Sequence, residues 1–276
     1  MIARDGTYIV TGATGGIGSA IVRMLAERGV CRIVLACRNV EKARKLMSEV
    51  SDLYPETDFA VEHLDLCSFA SVRDFVARMS SDYGGIAALV NNAGAMPVAR
   101  SGLTADGYDR ATQVNFLATA LLTCLITPLV THGGHIVFTT SVTRCIVGLK
   151  EDWEARAERC NNRFVTYGRS KLMLTHFALD MSRRLKDNGL HVNCSDPGVV
   201  DSDMVVMGNR FIDGMSRRFF RPYISTPEQG AEPVIHALES GMTGQIFTRR
   251  HVRPIPASYG CDARHHLVMD AVDCLL

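Results

Sequence analysis

The stretch TYGRSK (166–171) sets a phenol and an ammonium, Tyr167 and Lys171, four residues apart in a segment that reads as the start of a helix. Side chains at i and i+4 are neighbours on one helical face, so both can point into the same space. That spacing suits a proton-transfer pair, and it equally suits a solvated surface pair; the rest of the chain has to decide. A second chemical signal is TGATGGIG (11–18), which follows an apolar run and leads into a helical one. Glycines at 12, 16 and 18 permit a tight turn, a close approach of backbone to a pyrophosphate, and close helix–strand packing. The spacing is G-x-x-x-G-x-G.

These residues need elements to position them. Short Val-, Ile- and Leu-rich runs alternate with longer helical patterns, the signature of βαβ units. The strands are TYIV, RIVLAC, FAVEHL, AALVNN, HIVFTT, LHVNCS and GQIFT, and the helices lie near 17–29, 41–53, 69–81, 105–131, 165–187 and 227–239. The fold class is α/β: one doubly wound parallel sheet of about seven strands, with helices on both faces and residues 1–276 as a single domain. Thr226, Pro227 and Gln229 supply an N-cap, a first-turn proline and a capping-box partner for the last helix.

At the end of the second strand, where dinucleotide-binding folds meet the adenosine ribose, the sequence reads ACRN. Cys37 offers no carboxylate to repel a 2′-phosphate, and the Arg38 guanidinium can clamp one. The local chemistry therefore favours NADP(H) over NAD(H), although Lys42 and other bases of CRNVEKARK can take the place of Arg38.

Thirty basic residues balance twenty-nine acidic ones without a basic stripe, which excludes a nucleic-acid partner and favours a small molecule. The nine cysteines are scattered singly and read as reduced thiols of a cytoplasmic protein. No cysteine or carboxylate completes a metal site at HGGH (132–135), so no metal is expected. MIARDGTYIV shows neither a signal-peptide nor an anchor pattern. QVNFLATALLTCLITPLV (113–130) has membrane length, but its Gln, Asn, threonines and Pro make it an interior helix rather than a transmembrane segment.

Taken in order, the glycine turn, NNAG (91–94) and Tyr-x-x-x-Lys resemble the short-chain dehydrogenase/reductase family, from Thr7 to about Thr248. The resemblance implies a Rossmann-type sheet and a catalytic set of Asn115, Ser141, Tyr167 and Lys171. It assigns cofactor contacts to Gly12, Thr14, Gly16, Ile17 and Gly18 in the turn, to Arg38 and Asn39, and to Asp65 and Leu66 beside the adenine. Further contacts fall on Asn92, Ala93 and Gly94, on Tyr167 and Lys171, and on Pro197, Gly198, Val200 and Ser202 of the nicotinamide loop. In the implied mechanism Tyr167 is the general acid and Lys171 lowers the phenol pKa and binds the nicotinamide ribose. Ser141 polarises the substrate oxygen, and Asn115 orients a relay water. Read singly, Ser141 is a strand-end hydroxyl and Asn115 a helix-start cap.

The CRN arginine, the 26 positions from Ser141 to Tyr167, and STPEQGA are similar to the retinol-dehydrogenase-like branch, whose members act on lipophilic carbonyls or alcohols. Phe116 and Asp196 depart from that branch. The expected activity is reduction of a hydrophobic ketone or aldehyde, or oxidation of a secondary alcohol. Two alternatives stay open: a catalytically silent NADP(H)-binding regulator, and an epimerase or dehydratase using the cofactor transiently. Two excursions, 142–164 with Trp153 and the Met- and Phe-rich 203–225, are expected to cover the substrate. The helices at 105–131 and 165–187 are apolar enough to pair copies into a homodimer or homotetramer.

Overall fold

The computed structural model describes residues 2–97, 103–149, 163–200, 225–260 and 263–276. Ser202, Trp153, and Phe211 and Phe219 of the second excursion lie outside the described residues.

Eight strands among the described residues form one sheet: β1 Thr7–Thr11, β2 Arg32–Cys37, β3 Asp58–His63, β4 Ile86–Asn91, β5 Val130–Thr139, β6 His191–Ser195, β7 Gln245–Phe247 and β8 Val252–Pro254. Their spatial order is β3-β2-β1-β4-β5-β6-β7-β8, all parallel except β8, which runs antiparallel to β7. Helices α1 Gly16–Glu27, α2 Val40–Leu53, α3 Phe69–Asp82, α4 Arg110–Leu129, α5 Arg163–Arg184, α6 Pro227–Glu239 and α7 Ala263–Asp273 flank it. The eighth strand was not expected from the sequence. It is three exposed residues, VRP, too short and polar to show a strand period.

Alternation along the strands sorts the core into layers. Tyr8, Val10, Ile33 and Leu35 pack with Ile21 and Leu25 of α1 and Ile235 and Leu238 of α6. The intervening Ile9 and Val34 face the other way, onto Phe75 and Met79 of α3 and Leu121 and Leu122 of α4. Each such side chain contributes roughly 1.5–3 kcal/mol by leaving water. A slip of one residue would exchange the two sets, so register is strongly specified.

The run Arg110–Leu129 is long and apolar enough to cross a membrane by length and composition, yet 72% of its most apolar stretch is buried inside the fold. It is not uniform: Gln113–Leu117 is a π-helical turn, and the chain tightens to a 3-10 turn at Thr127–Leu129. The apolar surfaces of α4 and α5, read in the sequence as faces for pairing copies, are used here within the fold. Because β2 and β3 lie on one side of β1 and β4 on the other, the order in which strands are added reverses at the β1/β4 boundary. A crevice opens beyond their carboxyl ends, as it does at such switch points generally.

Candidate active site

A groove of about 360 Å³ occupies that crevice. At one end it is walled by the turn after β1. Gly12 sits at φ +64, and a Cβ there would come within 2.9 Å of the Ala93 backbone. A Cβ on Gly18 would lie 2.2 Å from the Gly12 carbonyl oxygen, so α1 packs on the turn only because residue 18 has no side chain. Gly16 meets nothing closer than Pro227 at 3.5 Å and lines the groove with Thr14 and Ile17. The first turn of α1 has neither a side-chain cap nor an acidic residue, so its free amides are available to an anion. This end fits the phosphates of a dinucleotide.

Arg38 lines the same groove, exposed and without a hydrogen bond or ion pair among the described residues. Asn39 caps α2, accepting from the Lys42 amide at 2.9 Å. Asp65 and Leu66 form the neighbouring wall with Cys67, whose amide donates to Asp65 Oδ1 at 2.9 Å. Sequence reasoning missed Arg110, which also lines the groove and whose Nε is buried without a hydrogen-bond partner among the described residues. It missed Thr11 too: this hydroxyl accepts from the Asn92 and Ala93 amides, both at 3.0 Å, and so fixes the NNAG segment against β1. A hydroxyl immediately before the first glycine was the available signal.

At the far end, Tyr167 and Lys171 project from α5 into the groove wall. Lys171 Nζ donates to the Thr139 carbonyl at 2.7 Å and stands 5.9 Å from the Tyr167 ring centroid. Ser141, just beyond β5, has its hydroxyl on the Tyr167 side, near enough to act on the phenol's pKa. Its Oγ accepts from the Thr143 hydroxyl at 3.0 Å. Asn115, on the π-helical turn, donates to the Ala95 carbonyl and to Ser170 Oγ, both at 2.9 Å, and accepts from the Ala95 amide at 2.7 Å. Both of its amide protons are therefore engaged in tying NNAG to α5, and none is free for a water. Pro197 reaches the groove, whereas Val200 packs on α6, against the α-carbon side of Gly230. Gly198, at φ +72, is exposed.

One electrostatic expectation is corrected. Lys171 was expected to lower the phenol pKa, but Tyr167 is pushed up to about 12 by burial, opposed by the nearby Ser141 hydroxyl and reinforced by Asp196. Lys171 is not among the causes of that shift, and its own burial brings its pKa down to about 8. Burial also raises the Cys37 pKa, which keeps the thiol next to Arg38 in the chain neutral.

Residues 7–211 match the short chain dehydrogenase family. The human protein "Retinol dehydrogenase 11" is 33% identical over 255 residues, which cover 90% of this chain and 79% of that protein. The mouse "Polyprenol dehydrogenase" is 33% identical over 237 residues, 83% of this chain and 70% of its own. Among solved structures, a short chain dehydrogenase from Burkholderia cenocepacia in complex with NADP superposes with a TM-score of 0.69 at 25% identity, covering 87% of this chain and 94% of that one. A Sphingobium yanoikuyae short-chain dehydrogenase in complex with NADPH gives 0.68 at 19%, covering 98% and 94%, and shows the shared fold.

These relatives overturn the cytoplasmic assignment drawn from the cysteines, since they are named for retinol and polyprenol, lipid alcohols that reside in membranes. Scattered free thiols report a reducing environment and say nothing of attachment to a membrane. With the glycine cradle, the serine–tyrosine contact and the lysine assembled on one doubly wound sheet, and with three quarters of its length matched, this chain belongs to the short chain dehydrogenase family of oxidoreductases.

Proposed function

We propose that the chain, acting as one domain, is an NADP(H)-dependent oxidoreductase that interconverts a hydrophobic ketone or aldehyde and the corresponding alcohol. The observation that carries this reading is the placing of Tyr167 and Lys171 in one groove wall beside the glycine cradle, with Ser141 close enough to act on the phenol. When bound, the cofactor supplies the hydride that reaches the carbonyl carbon. Tyr167 gives its phenolic proton to the oxygen as negative charge develops there, and a phenol kept protonated by burial is suited to that role. The Ser141 hydroxyl donates to the same oxygen. Lys171, oriented by the Thr139 carbonyl, holds the nicotinamide ribose and returns a proton to the phenolate. Arg38, with no acid at Cys37, takes the 2′-phosphate; the NADP and NADPH complexes of similar structures support this choice.

An apolar substrate is supported by the relatives' names and by exposed Val142, Ile146, Phe164 and Val199, which flank Ser141, Tyr167 and Gly198 in sequence. The test is NADPH consumption with carbonyls of increasing apolar size, ending in retinal. Turnover per mole should rise along the series. NADPH binding without consumption would instead favour a silent regulator.

A further inference from the structure

Asp196 and Arg144 form the only ion pair among the described residues with both side chains less than a tenth exposed, at 9% for Arg144 and 7% for Asp196. Arg144 Nη1 donates to Asp196 Oδ2 at 2.6 Å and to the backbone carbonyl of Ser141 at 2.6 Å. The other carboxylate oxygen, Oδ1, accepts from the Gly198 amide at 3.1 Å. Asp196 is itself anchored to the sheet, its amide donating to the Phe247 carbonyl of β7 at 2.8 Å. One guanidinium and one carboxylate thus join the backbone of the serine to the turn after β6.

A buried ion pair is poor evidence for stability, because desolvating both charges offsets their attraction. What this pair adds is geometric. Gly198 has no Cβ and stands at φ +72, so the turn can adopt other conformations; the Asp196 carboxylate selects one. Ser141 leaves β5 in extended conformation and enters a 3-10 turn at once, and Arg144 from that turn reaches back to its carbonyl. We infer that Arg144 and Asp196 are positioning residues for the reaction proposed above, holding Ser141 in register with the Pro197-Gly198 turn. The inference rests on that reading of Ser141 and the turn. Neither residue touches the reacting atoms: the pair acts through the backbones it holds.

The test uses the full chain with Arg144→Met/Asp196→Asn, which removes both charges together and leaves an acceptor for the Gly198 amide. Three quantities are measured: the melting temperature, the NADPH Kd by calorimetry, and kcat and KM for a carbonyl substrate. The expected result is a melting temperature near wild type, a kcat lower by about 10- to 100-fold, and a carbonyl KM changed by less than about threefold, since misplacement by about 1 Å carries losses of that order. NADPH Kd should weaken by about three- to tenfold, the equivalent of one hydrogen bond. Arg144→Lys keeps the charge but ends about one bond short of the point where Nη1 meets both acceptors, and should shift kcat and Kd the same way; it decides the matter if the double variant does not fold. A folded variant with wild-type kcat and Kd overturns the inference, as does a kcat loss that merely tracks the unfolded fraction. If the wild-type chain binds NADPH but reduces no carbonyl, the proposed function fails, and the Kd shift, present or absent, still supports or overturns the clamp.

Discussion

In the proposed reading, Arg38 decides between two cofactors by a single charge. The pair it would make with a 2′-phosphate is charge-assisted and therefore about twice as strong as a neutral hydrogen bond. Its exposure weakens that advantage, so the preference for NADPH over NADH in kcat/KM is expected to be roughly ten- to a hundredfold. Arg38→Ala should remove most of it by weakening NADPH use alone. An unchanged preference would move the phosphate to Lys42 or Arg110. Lys171 sets the pH behaviour. Burial lowers its pKa to about 8, so the ammonium is present below that pH and lost above it. In the free enzyme, which kcat/KM reports, reduction should decline as pH rises through about 8. A profile flat to pH 10 would show that the charge is not needed. Tyr167, Lys171 and Arg38 were legible as candidates because local spacing marks them, and the fold brings all three to one groove. Arg144 and Asp196 were not: 52 positions separate them, and only folding makes them partners.

The glycine turn and α1 act as one unit, and its glycines have separable jobs. A Cβ at 18 would strike the backbone of Gly12 and Ala13, whereas one at 16 meets only ordinary contact with Pro227. Gly18→Ala should therefore lower the melting temperature as well as NADPH affinity, at a cost of about 1–3 kcal/mol typical of overpacking. Gly16→Ala should leave melting near wild type and weaken NADPH binding selectively. Equal thermal losses in the two variants would contradict this division. At α6 the expected capping box is present: Thr226 Oγ1 accepts from the Gln229 amide at 3.3 Å, and Gln229 Oε1 from the Thr226 amide at 3.1 Å. Boundaries set by such caps were readable because the cap is written in adjacent residues. The helix α7 was not, since its docking is tertiary: Val268 and Val272 are buried against the α5 layer.

Across the whole molecule, the sheet order makes the site, because only the reversal between β1 and β4 brings residues of the first strand's turn beside NNAG. That topology follows from alternating strand and helix periods, which the sequence displays plainly; attachment to membranes leaves no comparable periodic mark. Stability should carry a pH signature from the opposite end of the sheet. His135 is half-buried beside His191, their rings 4.9 Å apart, and burial first, then His191, brings its pKa from 6.5 down to about 4. Between those values the unfolded chain binds the proton and the folded one does not, so stability should fall as pH drops from about 6.5 to about 4. His135→Gln should flatten that part of the melting profile. The central claim is that Tyr167 delivers the proton in an NADPH-dependent reduction, and the most direct measurement compares wild type with Tyr167→Phe in NADPH consumption with an apolar aldehyde such as retinal, alongside calorimetric NADPH binding. Wild type should consume one NADPH per carbonyl reduced, and the variant should bind NADPH within about threefold but turn over more slowly by about 10²–10⁴; a variant that turns over like wild type would contradict this role for Tyr167.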